Sequence, residues 1–191
     1  QYEFAIQKIL DRAISSQKTT SIEQEVIQFE SLPTVRGNEN LELLLEAIKE
    51  KKVVQFQYNN FIKDEKKIRR VHPYLLKEYR NRWYLIGKSE LKNKVITFGL
   101  DRIFDPIVLE QKYISDSSFS ADNYFKHSLG ITVYDQLPNE IIIETNPVLS
   151  KYLSSQPIHH SQKEMKVLAN GNHIFSYHLL ITYELKMVLM G

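Results

Sequence analysis

The spacing of hydrophobic residues near the start of the chain predicts two helices. Residues 2–15 place apolar side chains at helical spacing, and residues 16–40 are polar and end in a turn-like stretch around Pro33. We expect residues 1–40 to form a linker helix and an extended connector, because they contain too few apolar residues to make a domain alone. A second helix is predicted in LELLLEAIKEKK, beginning at Leu41 and capped by Asn40.

After this helix the hydrophobic period changes from 3.6 to 2, which predicts strands. VVQFQY alternates apolar residues on one face and is followed by a turn at Asn59-Asn60. A second strand is predicted from Lys67 to Leu76, where Pro73 should restrict it to an edge or an irregular end. RWYLIG and VITFGL follow as further strands. Short strands at about ten-residue spacing predict a small β-barrel or a meander over residues 41–115.

The last third of the chain has a different pattern. Residues 116–130 are polar and are expected to form an interdomain linker. Residues 131–191 then read as the strand EIIIETN, a helix starting at Pro147, two strands paired around Asn170-Gly171, and a final helix. This βαββα order predicts a ferredoxin-like domain without its last strand, which we expect beyond Gly191, and the overall class is therefore α+β.

Composition excludes several classes of protein. The chain has no cysteine, so it can form neither disulfides nor a thiolate metal site, which fits a cytoplasmic protein. No apolar run approaches the roughly 18 residues that a membrane span needs. The first residues, Gln1 to Phe4, lack the order of a signal peptide and a starting Met, so we expect a fragment of a longer cytoplasmic protein with no membrane contact.

Positive charge is concentrated in one segment, although the net charge of the chain is only +2. Between Phe61 and Arg82 there are eight basic residues and three acidic ones, with tyrosines and Trp83 among or just beyond them. Basic residues interleaved with aromatic ones suit a surface that neutralises phosphates and stacks bases. A solvated hairpin face protected by lysines is the alternative interpretation.

Several motifs in fixed order carry a resemblance to a known family. They are LLEAIKEKKVVQFQY, RRVHPYLLKEYRNRWYLIG, TFGLDRI, and PIHHSQ followed by a Tyr-Glu-Leu helix. From about Asn38 to Gly191 the chain resembles the WYL-domain family of bacterial transcription regulators. The resemblance implies an Sm-like WYL barrel followed by a C-terminal extension domain that contributes to homodimers. It also implies an N-terminal winged helix-turn-helix that binds operator DNA, which this sequence lacks because it starts inside the linker.

The candidate ligand site follows from strand alternation and from the resemblance. Residues two apart on a strand share a face. Arg70, His72 and Tyr74 would therefore share one face of their strand, and Arg82 and Tyr84 would share one face of the next strand. Arginines offer bidentate phosphate contacts, histidine a tunable imidazole and tyrosine a stacking ring. The last candidate is taken from the arginine that recurs near the end of the family's barrel. The six candidates for binding single-stranded nucleic acid or a nucleotide-like anion are Arg70, His72, Tyr74, Arg82, Tyr84 and Arg102.

Some of these residues also have a purely structural interpretation. His72 could bond a loop carbonyl, and Arg102 could form an ion pair with Asp101 or Asp105. Trp83 is predicted to anchor the core rather than to stack on a base.

Metal and catalytic signatures are missing from the sequence. His159 and His160 would face opposite ways on a strand, so we expect no metal site, and the resemblance implies a structural or interface role for residues 157–162. The chain has no Gly-rich phosphate loop and no G-x-S-x-G motif, so we expect no cofactor and no enzyme activity.

The leading hypothesis is therefore an effector-sensing and oligomerisation region of a transcription regulator. A dimerisation module without a small ligand is the alternative. An RNA-binding Sm-like protein is a third reading, based on the barrel type alone.

Overall fold

The structure is a computed structural model that describes residues 36–61 and 65–190. The helix predicted in residues 2–15 lies outside the described residues. The described chain divides into two compact units between Ser117 and Ser118. Within the described residues, no helix is both long and apolar enough to cross a membrane.

Among its described residues, the first unit contains one α-helix and five strands. A short 3-10 helix, Asn38–Asn40, precedes helix α1. The bounds are α1 Leu41–Lys49, β1 Lys52–Asn60, β2 Glu65–Tyr79, β3 Arg82–Ser89, β4 Lys94–Gly99, a 3-10 turn Leu100–Arg102, and β5 Ile103–Lys112. The strands form one antiparallel sheet in the order β4-β3-β2-β1-β5. The predicted helix and the period-2 strands are thus confirmed.

The predicted cap of α1 is wrong. Asn40 stands at the N-cap position, but its side chain makes no capping hydrogen bond. A capping side chain needs an extended backbone, whereas Asn40 ends the 3-10 helix with φ −91° and ψ −6°. Its backbone N–H instead donates to the carbonyl of Gly37 at 3.0 Å.

Strand β2 is central in the sheet, and it changes partner along its length. Its first half pairs with β1 as far as Val71, and its second half pairs with β3 from Val71 onward. The predicted irregularity at Pro73 is confirmed, although β2 as a whole is not an edge strand. Pro73 lies beyond the last residue paired with β1 and at a register shift against β3, so its missing N–H removes no bond to β1.

The predicted Sm-like closed barrel is not confirmed. In the described part of the chain the sheet is open, with β4 and β5 as its outer strands. The sequence pattern gives the number of strands and their inward faces, but closure depends on strand tilt and stagger, which alternation does not encode.

The core of the first unit lies between α1 and the sheet. Leu41 and Leu44 of α1 are buried against Phe56 of β1 and Leu85 of β3. Trp83 packs against this core partly buried, as predicted.

The second unit is a three-stranded antiparallel sheet with three helices. The bounds are α2 Ala121–Phe125, β6 Asn139–Thr145, α3 Pro147–Ser155, β7 Lys163–Val167, β8 His173–Leu179 and α4 Tyr183–Met190. The sheet order is β6-β8-β7. Asn146 caps α3 by accepting from the N–H groups of Val148 and Leu149, and Pro147 occupies its first turn.

The predicted βαββα order is present in β6, α3, β7, β8 and α4. Residues 118–130, which the sequence predicts as linker, belong to the second unit and include α2. Phe125 is buried, and Leu129 is part of the second core beside Phe175 and Leu179. The segment was predicted to be linker because most of its residues are polar, although Phe125 and Leu129 are buried in the second unit. The ferredoxin-like assignment stays a prediction.

Candidate anion-binding site

The six candidate residues fall into two groups at different places on the first unit. Val71 pairs with Ser89 at one end of the β2–β3 ladder, whereas Arg82 pairs with Tyr79 at the other end. Arg70 and His72 therefore lie far along the ladder from Arg82. The six candidates therefore do not lie in one place, because alternation shows which face a side chain shares but not how far apart two strand positions lie.

The first group is built around one carboxylate. Arg82 Nη1 lies 3.6 Å from Asp101 Oδ2, and Arg102 Nε lies 3.8 Å from Asp101 Oδ1. Arg82 starts β3, while Asp101 and Arg102 belong to the 3-10 turn before β5. The Arg82 side chain is 54% exposed, compared with 18% for Asp101 and 25% for Arg102. The half-exposed Arg82 thus contacts the more buried Asp101–Arg102 ion pair from the solvent side.

Two aromatic rings surround the Arg102 guanidinium. Its Cζ lies 5.2 Å from the ring centroid of Tyr58 and 5.0 Å from that of Phe61. Both distances are within the range of cation–π attraction. Arg102 Nε is buried and has no hydrogen-bond partner within the described chain, so the rings and the Asp101 charge are what stabilise it.

Tyr58 is fixed from behind and keeps its hydroxyl at the site. The ring packs edge-on against Phe56 and Phe98, and the hydroxyl accepts from the Gly99 N–H at 3.3 Å. Burial raises the pKa of Tyr58, which Arg102 partly offsets, so the phenol stays protonated at neutral pH.

Register places two more polar residues on the same face. Tyr84 pairs across the sheet with Lys77 of β2 on one side and with Gly99 of β4 on the other. Directly paired residues share a face, so Lys77 and Tyr84 stand next to each other. Burial lowers the pKa of Lys77, which nevertheless leaves a base as strong as lysine largely charged at neutral pH.

Gly99 leaves the space that this cluster needs. A Cβ at this position would lie 2.5 Å from Asp101 Oδ1 and 2.9 Å from Arg102 Nη2. The missing side chain lets the ion pair pack directly on the β4 backbone.

The second group, His72 and Tyr74, binds a backbone segment of the same chain instead of lining an open site. His72 Nδ1 accepts from the Ile114 N–H at 3.0 Å, and the Tyr74 hydroxyl donates to the Ile114 carbonyl at 3.0 Å. The Tyr74 ring also packs edge-on against Tyr113, with centroids 5.6 Å apart. Both polar groups of one residue just after β5 are thus bound by two side chains of β2.

His72 is buried, with 2% of its surface exposed. Because Nδ1 accepts a backbone hydrogen bond, the proton of the neutral ring is on Nε2, which lies 3.5 Å from Glu90 Oε1. Burial lowers the pKa of His72 despite the nearby Glu90 carboxylate, and Lys88 lowers it further. The neutral imidazole is therefore the form that fits this site.

Arg70 belongs to neither cluster. Its Nε donates to Gln55 Oε1 of β1 at 2.9 Å, and the residue is exposed. Of the six candidates, the structure brings together Arg82, Tyr84 and Arg102 at one place, and His72 and Tyr74 at another.

Sequence reasoning missed several members of the first group. The ion pair of Arg102 with Asp101 that the sequence suggested is confirmed, whereas the contact of Asp101 with Arg82 and the positions of Tyr58, Phe61 and Lys77 in this group were not predicted. The sequence does contain an indication of the role of Asp101. In Leu100-Asp101-Arg102 an acidic residue stands directly beside an arginine, and such an acid can form ion pairs with that arginine and with a neighbouring one.

Histidines of the second unit approach one another without forming a metal site. The rings of His159 and His160 lie 4.0 Å apart, and those of His127 and His178 lie 5.0 Å apart. In the described parts of the chain, no group of three or more potential ligands could hold a metal ion. His159 Nδ1 instead lies 2.8 Å from Ser161 Oγ, which accepts from the His178 N–H at 3.0 Å.

Comparison with known protein families identifies the first unit. Residues 39–108 match the family model of the WYL domain. The chain contains a WYL domain. The match ends within β5, so the WYL domain includes Arg82, Asp101 and Arg102 but not the Ile114 segment.

One solved structure that matches is the proteasome accessory factor B/C (PafBC) of Arthrobacter aurescens, with 18% sequence identity and a TM-score of 0.42. The match covers 86% of this chain and 22% of that one, so the WYL-domain chain spans about a fifth of its length. A comparison with curated proteins gave no match.

Proposed function

We propose that this chain is the effector-sensing and oligomerisation region of a bacterial transcription regulator. Its WYL domain binds single-stranded nucleic acid or a nucleotide-like anion at Arg82, Tyr84 and Arg102. The observation that carries the proposal is the convergence of Arg82 and Arg102 on one turn beside Tyr58 and Tyr84.

The chemistry of this cluster suits a phosphate joined to a base. The Arg82 guanidinium is half exposed and its contact with Asp101, at 3.6 Å, is longer than a hydrogen bond, so it can still donate to a phosphate oxygen. Lys77 adds a second positive charge on the face of Tyr84. Tyr84 and the exposed ring of Phe61 offer aromatic surfaces on which a base can stack.

The other predicted contacts have weaker support. His72 and Tyr74 already bind the Ile114 backbone, so contact with a ligand would break existing hydrogen bonds. Arg70 is an exposed cation that can raise the local concentration of an anionic partner without contacting it in the site. The proposed ligand contacts are therefore Arg82, Tyr84 and Arg102, with Lys77 added.

The larger assembly is part of the same proposal and rests on the family resemblance. A DNA-binding module joined before residue 36 would contact operator DNA, the first unit would correspond to the Sm-like WYL domain of the family, and the ferredoxin-like second unit would support a homodimer. An effector then acts by binding one arrangement of the dimer more tightly than another.

A titration with fluorescent single-stranded d(T)12 at two salt concentrations tests the ligand. We expect R82Q/R102Q to weaken binding at least tenfold. The salt dependence should also become less steep by about 1.4 in log K against log [salt], which is the value for two lost phosphate contacts on a single strand. The matched control is K92Q/K94Q, which removes two exposed charges at the β3–β4 turn, where both residues lie in or next to the loop.

The alternative function is dimerisation without a small ligand. It is favoured by the shared Asp101 carboxylate, which by itself gives both arginines a structural role. Equal binding by the wild type, R82Q/R102Q and K92Q/K94Q, or no binding at low salt, contradicts the proposed ligand site and leaves this alternative.

A further inference from the structure

Asp101 is the one acidic side chain of the described residues that lies in ion-pair contact with either Arg82 or Arg102. Each of its two oxygens faces a different guanidinium. Any anion that approaches Arg82 from solvent must therefore come close to a fixed negative charge.

We infer that Asp101 sets the charge selectivity of the proposed ligand site by reducing its preference for doubly charged terminal phosphates over singly charged phosphodiesters. This inference rests on the proposed function and specifies the class of ligand. A phosphodiester inside a nucleic-acid strand carries one negative charge, whereas a terminal phosphate monoester carries between 1.5 and 2 at about pH 7. The repulsion from one fixed carboxylate is proportional to the charge of the ligand, so Asp101 penalises the monoester about twice as strongly.

The position of Asp101 makes this repulsion unavoidable. Its side chain is 18% exposed, and it is held on the 3-10 turn between two guanidiniums, so it cannot swing far into water. Gly99 supports it from behind, where a Cβ would lie 2.5 Å from Oδ1. Partial burial also limits solvent screening, which would otherwise weaken the repulsion.

The ion-pair distances leave room for an external anion to share the same donors. The separations of 3.6 and 3.8 Å exceed hydrogen-bond length, and Arg102 Nε has no hydrogen-bond partner in the described chain. Asp101 thus lowers the positive charge of the pair without saturating its N–H donors. An anion with one charge can still bind, and an anion with two charges meets more repulsion.

The test compares two ligands that differ only in phosphate charge: thymidine 5′-monophosphate and its methyl phosphodiester. Their dissociation constants are measured by NMR titration at pH 7.5 for the wild type and for Asp101→Asn, which keeps the size of the side chain. We expect D101N to gain affinity for both ligands relative to the wild type. The logarithm of the gain should be about twice as large for the monoester. Asp105→Asn is the matched control, because Asp105 is an exposed acid with φ 49°, a conformation that asparagine tolerates.

Each outcome has a separate meaning. Equal gains for the two ligands in D101N, or no gain, overturn the selectivity role while wild-type binding of d(T)12 preserves the proposed function. If D101N binds the monoester but the wild type binds neither ligand nor d(T)12, Asp101 blocks binding instead of tuning selectivity, and both proposals are wrong. If neither protein binds any of the three ligands, both proposals are wrong. Thermal unfolding of D101N, D105N and wild type shows whether a loss of binding reflects a loss of folding.

Discussion

The imidazole of His72 accepts a hydrogen bond through Nδ1 from the backbone N–H of Ile114, 42 positions later in the sequence. Together with the bond from the Tyr74 hydroxyl to the Ile114 carbonyl, it fixes the chain just after β5. Ile114 lies four positions before the second unit begins, so these bonds hold the last stretch of the first unit against β2.

Replacing His72 should therefore destabilise the first unit more than replacing Tyr74. His72→Ala leaves the Ile114 N–H without its partner and removes a buried ring, so we expect a loss of about 2–3 kcal/mol in the free energy of unfolding. Tyr74→Phe removes one exposed hydrogen bond, for a loss of about 0.5–1 kcal/mol. Urea denaturation measures both losses, and faster hydrogen exchange at the Ile114 amide locates them. Unchanged exchange at Ile114 in H72A would contradict the assigned bond.

Acid should destabilise both units through histidines that prefer to be neutral. Burial lowers the pKa of His72, and burial together with His160 lowers the pKa of His159 to about 4. Below the unfolded value of 6.5 the unfolded state binds these protons more readily than the folded state, so the free energy of unfolding falls as pH falls from about 6.5 toward 4.

His159→Gln should reduce this pH dependence, by about 1 kcal/mol between pH 7 and pH 4.5 once solvent screening of a half-buried group is considered. Urea denaturation at several pH values measures the change. His173→Gln is the comparison variant, since His173 is a partly buried histidine of the same unit that lies 2.7 Å from Glu164. An identical pH dependence for H159Q and wild type would show that His159 does not titrate below its ordinary range.

Two glycines of the same sheet should respond differently to alanine. A Cβ at Gly87 would lie 2.4 Å from the backbone oxygen of His72, whereas a Cβ at Gly99 would meet side-chain atoms of Asp101 and Arg102 instead of the backbone of a paired strand. Gly87→Ala should cost about 2 kcal/mol or more in stability, because two paired strands must move apart. Gly99→Ala should cost less than about 1.5 kcal/mol and should weaken d(T)12 binding by displacing the ion pair. Thermal unfolding and the d(T)12 titration separate the two effects, and a destabilised G99A with unchanged binding would place the ligand elsewhere.

One glutamine organises the loop of residues 157–162 in the second unit. Gln162 Nε2 donates to the Leu153 carbonyl at 2.7 Å, and Oε1 accepts from the Ile158 N–H and from the Tyr177 hydroxyl. Gln162→Ala removes three hydrogen bonds and should lower the free energy of unfolding by about 2–3 kcal/mol. The control Gln156→Ala changes an exposed glutamine and should cost less than about 0.5 kcal/mol. Equal costs in the two variants would contradict this structural role for the loop.

The sequence pattern predicts the individual helices and strands of this protein better than it predicts which elements pair or pack with one another. Period-2 alternation in VVQFQY and the Asn146-Pro147 start of α3 depend on local geometry, and the structure confirms both. Alternation does not encode the change of partner along β2, so the sequence indicated the irregularity at Pro73 but not the central position of β2 in the sheet. The contact between His72 and Ile114 joins positions far apart in sequence, and no local pattern indicates it.

The candidate site was predicted only in part, because only some of its residues are close together in the sequence. Arg82 and Tyr84 share a face because they are two positions apart, and their grouping follows from the strand alone. Arg102 joined them through family resemblance, and its place beside Tyr58 depends on the turn that follows β4. Asp101 changes the chemistry of the cluster more than any other residue, yet its role requires knowing that both arginines approach it.

Gly37 is packed so tightly against the turn that carries Asp101 and Arg102 that the entry to the first unit and the anion cluster cannot move independently. With φ 100°, it leaves no space for even a methyl group, since a Cβ would lie 2.3 Å from the backbone of Leu100. The guanidinium Cζ of Arg36, the residue before Gly37, lies 4.0 Å from the ring centroid of Phe104. Phe104 follows the same turn in the sequence. A shift of the turn by a fraction of an ångström would therefore displace the backbone at residues 36–37. Binding of a ligand at Arg82 and Arg102 would therefore be transmitted mechanically to any domain attached upstream of residue 36.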